Sequence, residues 1–423
     1  MQPVEDKVLA QVDRNREELV EFLRKLVSIP SVTGQEGEVQ GFIADFLRER
    51  ISVKVDVWEP SLEELSKHPG FVPVSRGYEG RPNVVGVYKG SGGGRSLLFN
   101  GHVDVIPVGD ESSWKHQPWR AEVKHGVLYG RGASDMKSGL AAYTFALLSV
   151  LDAGLRPRGD VILEYTVDEE LSGNGTLAAI MRGYRADAGI SGETSSMNIQ
   201  PACIGRIWFE IEVRGTPVGV QRKWEGVNAI HKGYKVVQAV DDFEAIRLAE
   251  VRHPLYPNIR EAIPCLVGMF EAGSYPSAFP DKCLLKGSLA TVPNEDSDQV
   301  KKRLREHIET VAKADPWLRN HPPELRFKGY FAEPSEIPVD SPIVRTLSES
   351  YREVLKQEPV VSGRLGAADT RFLNKYGQTP TVIFGPGLTE QMHAVDESVP
   401  IENVVNAAKI MALTLLEWCG YTQ

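Results

Sequence analysis

Histidine and acidic side chains recur in this chain at the ends of apolar runs and in short glycine-rich loops. His102 and Asp104 stand in Asn100-Gly101-His102-Val103-Asp104, just past Leu97-Leu98-Phe99. Asp135 stands in Gly130-Arg131-Gly132-Ala133-Ser134-Asp135-Met136-Lys137, and Glu169 and Glu170 follow the run Val161 to Val167. Glu193 lies in Ser191-Gly192-Glu193-Thr194, and His393 in Gln391-Met392-His393-Ala394. Carboxylate with imidazole is a ligand set that suits zinc, manganese or cobalt. So many anions gathered in one place need cations as partners. The chemistry this points to is metal-assisted hydrolysis.

The elements that must position these residues can be read from hydrophobic rhythm. Leu97-Leu98-Phe99 and Val161 to Val167 are short continuous apolar runs, as in strands buried on both faces. Val84 to Tyr88, Ala188 to Ile190 and Thr381 to Phe384 are further strands. Arg14 to Val27, Glu38 to Arg48, Ser138 to Ala153, Ile343 to Gln357 and Ile401 to Trp418 read as helices. Strands alternating with long helices predict an α/β domain with a mostly parallel sheet. In such sheets ligands collect at the carboxyl ends of strands. His102, Glu169, Glu170 and Glu193 all fall there. The middle of the chain has another rhythm: strand Ile207 to Val213, helix Val227 to Arg252, strands Pro264 to Phe270 and Leu284 to Thr291, and a helix from Asp296 to Ala314. That βαββα order predicts an inserted α+β domain. The expected division is 1–203 and 331–423 for a discontinuous catalytic domain, with 204–330 inserted.

Each motif has a plainer reading. His-x-Asp alone is a weak signal, although residues two apart on a strand share a face, which makes Asp104 a candidate partner for the second nitrogen of His102. Asp135 alone could cap the helix that begins near Met136; Gly130 and Gly132 beside it favour a tight functional turn. Asp168-Glu169-Glu170 could be a solvated acidic loop. After a buried strand, one carboxylate could instead bind metal while its neighbour faces an attacking water. Glu193 and His393 say little in isolation, although Gly385-Pro386-Gly387 predicts a tight loop upstream of His393.

The 423-residue chain is long enough for two domains. Its 48 basic and 57 acidic residues give a net charge of −9, and without a basic run nucleic acid is not an expected partner. The four cysteines (Cys203, Cys265, Cys283 and Cys419) are widely spaced, which fits thiols in a reducing cytoplasm. Residues 1–20 lack the apolar segment of a signal peptide. No apolar run reaches the ~18 residues of a membrane span, so no membrane association is expected.

Taken in order, the segments resemble the zinc-dependent deacylase and exopeptidase family of acetylornithine deacetylase, succinyl-diaminopimelate desuccinylase, aminoacylase and glutamate carboxypeptidase. Asn100 to Pro107 resembles the family's first metal motif and Gly130 to Gly139 its second, the most specific of the set. Asp168-Glu169-Glu170, Gly192-Glu193-Thr194 and Met392-His393 complete the series. The resemblance implies two divalent metals per subunit, normally zinc, with cobalt or manganese as alternatives. Asp135 would bridge them, His102 and Glu193 would bind one, and Glu170 and His393 the other. Glu169 would be the general base and Asp104 would orient His102. The bond between Asp135 and Met136 would be cis. The fold implied is a zinc-exopeptidase-like mixed sheet flanked by helices, with an inserted ferredoxin-like lid that also serves homodimerisation. Gly226-Val227-Asn228-Ala229-Ile230 matches the start of the lid's first helix and makes Asn228 a candidate substrate contact.

The lid departs from the family pattern. Its usual histidine falls at Gly219, its asparagine at Ser277 and its substrate-binding arginine at Ala290. Arg222, Lys223, Arg364 and Arg371 are candidate replacements for anion binding, with Arg364 and Arg371 the better pair because arginine holds a carboxylate through two hydrogen bonds. The expected activity is removal of an acyl group from an N-acyl amino acid or related small amine. The alternatives are a dipeptidase or carboxypeptidase acting on short peptides, and a metal-dependent binding protein without catalysis.

Overall fold

Every residue of the strands Leu97–His102, Val161–Thr166, Ala188–Ser191 and Thr381–Ile383 is buried. Strands this apolar must be covered on both faces. In the computed structural model, which describes residues 3–423, these four lie side by side at the centre of a nine-stranded sheet. The order across the sheet begins Lys54–Trp58, Asn83–Tyr88, Val161–Thr166, Leu97–His102, Ala188–Ser191, Thr381–Ile383. The central four pair in parallel, and Asn83–Tyr88 joins them antiparallel. The helices Ser138–Asp152 and Ile401–Cys419 pack against one another and are buried along most of their length.

The chain divides into two compact units. One comprises the chain as far as Ala202 together with Glu336–Ser362 and Ala368–Gln423; the other comprises Cys203–Ser335 with Gly363–Ala367. The second unit is a four-stranded antiparallel sheet with the order Cys265–Ala272, Lys282–Thr291, Gly205–Arg214, Glu324–Ala332. Along Gly205–Arg214 the side chains of Ile207, Phe209, Ile211 and Val213 point into the core while Trp208 stays exposed, the period-two pattern of a half-covered sheet. The helices Ala229–Glu250 and Ser297–Ala314 supply the other half of that core through Val236, Val240, Phe243, Val300, Leu304 and Ile308. Asp296 caps the second helix by accepting the amides of Asp298 and Gln299. The result is a ferredoxin-like βαββαβ arrangement.

Several elements lie outside the sequence reading, among them a first helix and two edge strands. The helix expected from Arg14 to Val27 is Arg16–Ser28, and Asn15 separates it from an earlier helix, Val4–Arg14. Asn15 turns its amide to Ser149 and Asp152. Lys54–Trp58 and Glu324–Ala332 are strands at the edges of their sheets. Both carry polar residues on a solvated face, which hides them from a search for apolar runs.

Asp315 ties the second unit together. Its carboxylate accepts Lys232 Nζ at 2.8 Å, Lys235 Nζ at 2.6 Å, and the amides of Trp317 and Leu318 at 2.8 and 3.0 Å. Burial alone would raise its pKa, but the two lysines and two amides hold it well below the usual carboxylate range. A carboxylate depressed in the folded state stabilises above its unfolded pKa, and that contribution fades as pH falls through the folded value. Asp315→Asn is therefore expected to cost ~2–3 kcal/mol near neutrality. The gap to wild type should begin to narrow below about pH 4 and keep narrowing as pH falls towards the folded value. Thermal melts across that range check it; a gap independent of pH would remove the electrostatic explanation.

Candidate metal centre

The parallel strands end where the acidic and imidazole residues gather. His102 is the last residue of Leu97–His102. Glu169 and Glu170 follow Val161–Thr166, and Glu193 follows Ala188–Ser191. Asp135 sits in the turn Ala133–Lys137, just before the helix Ser138–Asp152. It does not cap that helix, and the Asp135–Met136 peptide bond is cis. Gly132 adopts φ +86°, and a Cβ there would come within 2.8 Å of Val105, so the turn requires glycine.

These side chains form two ligand groups that share Asp135. His102, Asp135 and Glu193 make one, and Asp135, Glu170 and His393 the other; within each, the ligand atoms lie within 4.8 Å of one another. His102 Nε2 lies 3.4 Å from Asp135 Oδ1 and 3.4 Å from Glu193 Oε1. His393 Nε2 lies 3.6 Å from Asp135 Oδ2 and 3.1 Å from Glu170 Oε2. Each oxygen of Asp135 thus faces a different group. His102 Nε2 is buried without a hydrogen-bond partner, and His102 Nδ1 is 2.9 Å from the Asp104 backbone carbonyl. That contact places the proton on Nδ1 and turns the Nε2 lone pair toward the carboxylates, the tautomer a metal ligand needs. A bare imidazole lone pair facing two carboxylates is a repulsive arrangement unless a proton or a cation lies between them. The donor set fits divalent metal.

Asp104 does more than orient His102. Its carboxylate lies 3.6 Å from His102 Nδ1, beyond hydrogen-bond range. It accepts instead from Thr33 Oγ1 at 2.9 Å, Glu169 N at 3.1 Å and Glu170 N at 3.2 Å. The ring is therefore steered by the Asp104 carbonyl, while the side chain clamps the backbone of the two glutamates. Behind them Asp168 accepts from Tyr78, Ser172 and Arg81, and Arg81 also holds buried Glu36 through two hydrogen bonds.

Electrostatics follow from burial and crowding. Burial, reinforced by the charges of Glu193, Asp369 and Glu170, pushes Glu169 well above the usual carboxylate range, with His102 opposing. Burial raises Glu170 as well, against the pull of His393. For His102, burial opposes charging, yet Asp135 and Glu193 hold it well above the ordinary imidazole value. Cations at the two groups would counter all of these shifts. Beneath the sheet end, Glu164 is pushed by burial to about 8. It accepts Asn100 Nδ2, which also reaches Thr176, and Thr176 Oγ1 donates to Asp369 at 2.6 Å.

None of the remaining candidates is among the grouped ligand residues. Arg371 is buried; its Nη2 donates to the Ser172 carbonyl at 2.7 Å and its guanidinium lies over Phe372. Arg364 is also buried and belongs to the second unit. In that unit Asn228 caps the helix Ala229–Glu250 by accepting the Ile230 amide. Arg222 pairs with Glu225 at the surface, and Gly219 bridges Ala278 in a short β contact. Sequence reasoning missed Glu397, whose buried carboxylate is bonded to the Asp135 turn. It also missed Thr33 and Glu36; none of the three stands in a pattern that separates it from ordinary surface polarity.

A large mixed sheet with imidazole and carboxylate ligand groups at the carboxyl ends of its parallel strands defines a metallohydrolase. Residues 98–417 match peptidase family M20/M25/M40, and the chain belongs to that family, whose members it joins as a hydrolase of amide bonds. The N-formyl-4-amino-5-aminomethyl-2-methylpyrimidine deformylase of Halalkalibacterium halodurans is 32% identical, over 98% of this chain and 97% of its own. The protein of the same name from Bacillus subtilis is 31% identical, over 97% and 96%. A metallo-carboxypeptidase of the M20 family from Sulfolobus solfataricus shares the fold, with a TM-score of 0.72 at 21% identity over 94% of this chain and 98% of its own.

Proposed function

We propose that this protein is a dinuclear metal-dependent deacylase that releases a small acyl group, formyl foremost, from the amine of a small molecule lacking a carboxylate. The observation that carries the chemistry is the pair of ligand groups sharing Asp135, with Glu169 beside them at 3.9 Å from His102 Nε2. His102, Asp135, Glu193, Glu170 and His393 would hold the metals, with zinc the natural choice for this donor set and cobalt or manganese able to replace it. Divalent cations held there would make water more acidic and polarise the amide carbonyl. Glu169 takes the water's proton as the new C–O bond forms, and delivers it to the departing nitrogen as the C–N bond breaks. Carboxylic acid and free amine are the products. Asp104 keeps Glu169 in place through its backbone amide and selects the His102 tautomer through its carbonyl.

The acyl group and the amine are inferred from two further points. The relatives that match nearly end to end are named deformylases of an aminomethylpyrimidine. The cations next to the ligand groups in sequence or space are engaged internally. Arg131 pairs with Glu397 at 2.7 Å, Lys137 Nζ donates to the carbonyls of Leu26 and Ile29, and Arg371 to Ser172. Their burial favours scaffold roles for Arg371 and Arg364 over capture of a substrate carboxylate. Assays of the zinc-, cobalt- or manganese-loaded enzyme should rank N-formylaminomethylpyrimidine at least about tenfold in kcat/KM above N-acetyl amino acids and dipeptides. The opposite ranking would make it an amino-acid deacylase or a dipeptidase.

A further inference from the structure

Glu397 has no exposed surface and no position in the ligand groups, yet it is bonded to Asp135 and to the segment that leads into it. Its Oε2 accepts Arg131 Nη1 at 2.7 Å and Gly132 N at 2.9 Å. Its Oε1 accepts Ser134 N at 2.8 Å and Asp135 N at 2.9 Å. Its backbone carbonyl accepts Gly130 N at 2.9 Å. Burying a carboxylate is costly unless it is fully satisfied, and here both oxygens are filled by charge-assisted bonds. An apolar side chain could close the same space. A buried ion pair is weak evidence for stability, and its best use is to fix one geometry.

The geometry it fixes joins the two ligand groups. Glu397 lies four residues after His393 in the chain, and Arg131 Nη1 also donates to the carbonyl of Ala394 at 3.1 Å, next to His393. Glu397 and Arg131 therefore bolt the Asp135 turn to the His393 turn. Asp135 must serve both groups with a different oxygen for each, and sites of this kind tolerate displacements of only about 0.5 Å. We propose that Glu397 is a positioning residue that sets the shared carboxylate against His393, so that the group Asp135, Glu170 and His393 can hold its metal. The inference rests on the ligand assignment proposed above.

Glu397→Gln tests it with little change in shape. An amide offers one oxygen, so its NH2 must face one of the two donor pairs. Glu397→Asp keeps the charge but shortens the reach. The full chain, stripped with chelator, would be titrated with Co(II), following the visible d–d absorption and the bound metal by equilibrium dialysis, with circular dichroism as the check on folding. Wild type should take two equivalents. Both variants should bind the first normally and the second about 10- to 100-fold more weakly, with an altered second spectral step and a lower kcat at little-changed KM. If Glu397→Gln does not fold, Arg131→Lys, which loosens the tie to Ala394 while leaving the amide contacts of Glu397, should weaken the same second step. Folded variants with both steps as in wild type would overturn the positioning role alone. A wild-type chain that never takes a second equivalent would overturn the ligand assignment itself.

Discussion

Replacing Glu169 by Gln is expected to leave fold and metal content intact and to lower kcat by about 10²- to 10⁴-fold. The side chain is nearly isosteric and is not one of the grouped ligand residues. Its backbone is held by Asp104 whatever the side chain is. What the amide cannot do is accept a proton from water and return it to the leaving nitrogen. The place of Glu169 suits that task, because its carboxylate stands beside the ligand groups, 3.9 Å from His102 Nε2, and a general base must lie within reach of the proton it abstracts. Because the lost interaction belongs to the transition state, kcat and kcat/KM should fall together. Turnover above about a tenth of wild type, in a sample shown to carry its metals, would shift the base role elsewhere; unchanged binding with no turnover in either protein would favour a binding protein.

The site was legible in the sequence to the extent that local pattern encodes it. Leu97-Leu98-Phe99 and Val161 to Val167 are apolar enough to require burial on both faces, as in a parallel sheet covered by helices. The ends of those strands then have to meet, which brings His102, Glu169, Glu170 and Glu193 together. Asp135 was legible through Gly130 and Gly132. What stayed hidden depends on long-range partners. Val395-Asp396-Glu397 reads as a solvated acidic turn, and only the three-dimensional path of the chain puts Glu397 against amides more than 260 residues earlier. Asp104 was read as orienting His102, yet its carboxylate holds the amides of Glu169 and Glu170 and its carbonyl meets the ring. Spacing shows that two residues share a face, not which atom of each makes the contact. Arg371 depends on long-range packing in the same way. A guanidinium near a glycine-rich loop invites a substrate carboxylate, whereas the fold encloses it against the Ser172 carbonyl.

Asp135→Asn is expected to remove turnover below about a thousandth of wild type, and its effect on stability should be opposite in sign with and without metal. One carboxylate faces both ligand groups, so the substitution weakens both at once, and dialysed protein should retain less than one equivalent. Wild type loaded at about 1,000 times its dissociation constant gains about 4 kcal/mol from each bound metal. Chelator should therefore lower its melting temperature markedly and leave that of Asp135→Asn nearly unchanged. In the stripped proteins the order should reverse. Buried Asp135 and Glu193 and half-buried Glu170 crowd around two imidazoles, and like charges at this range repel strongly. Neutralising the shared one relieves that repulsion, so stripped Asp135→Asn should melt at or above stripped wild type. Binding sites commonly carry such a stability cost for function. Melting curves of both proteins, with metal and with chelator, read all four states. A wild-type melt indifferent to chelator, or a variant that keeps two equivalents, would mean that Asp135 does not bridge a metal pair.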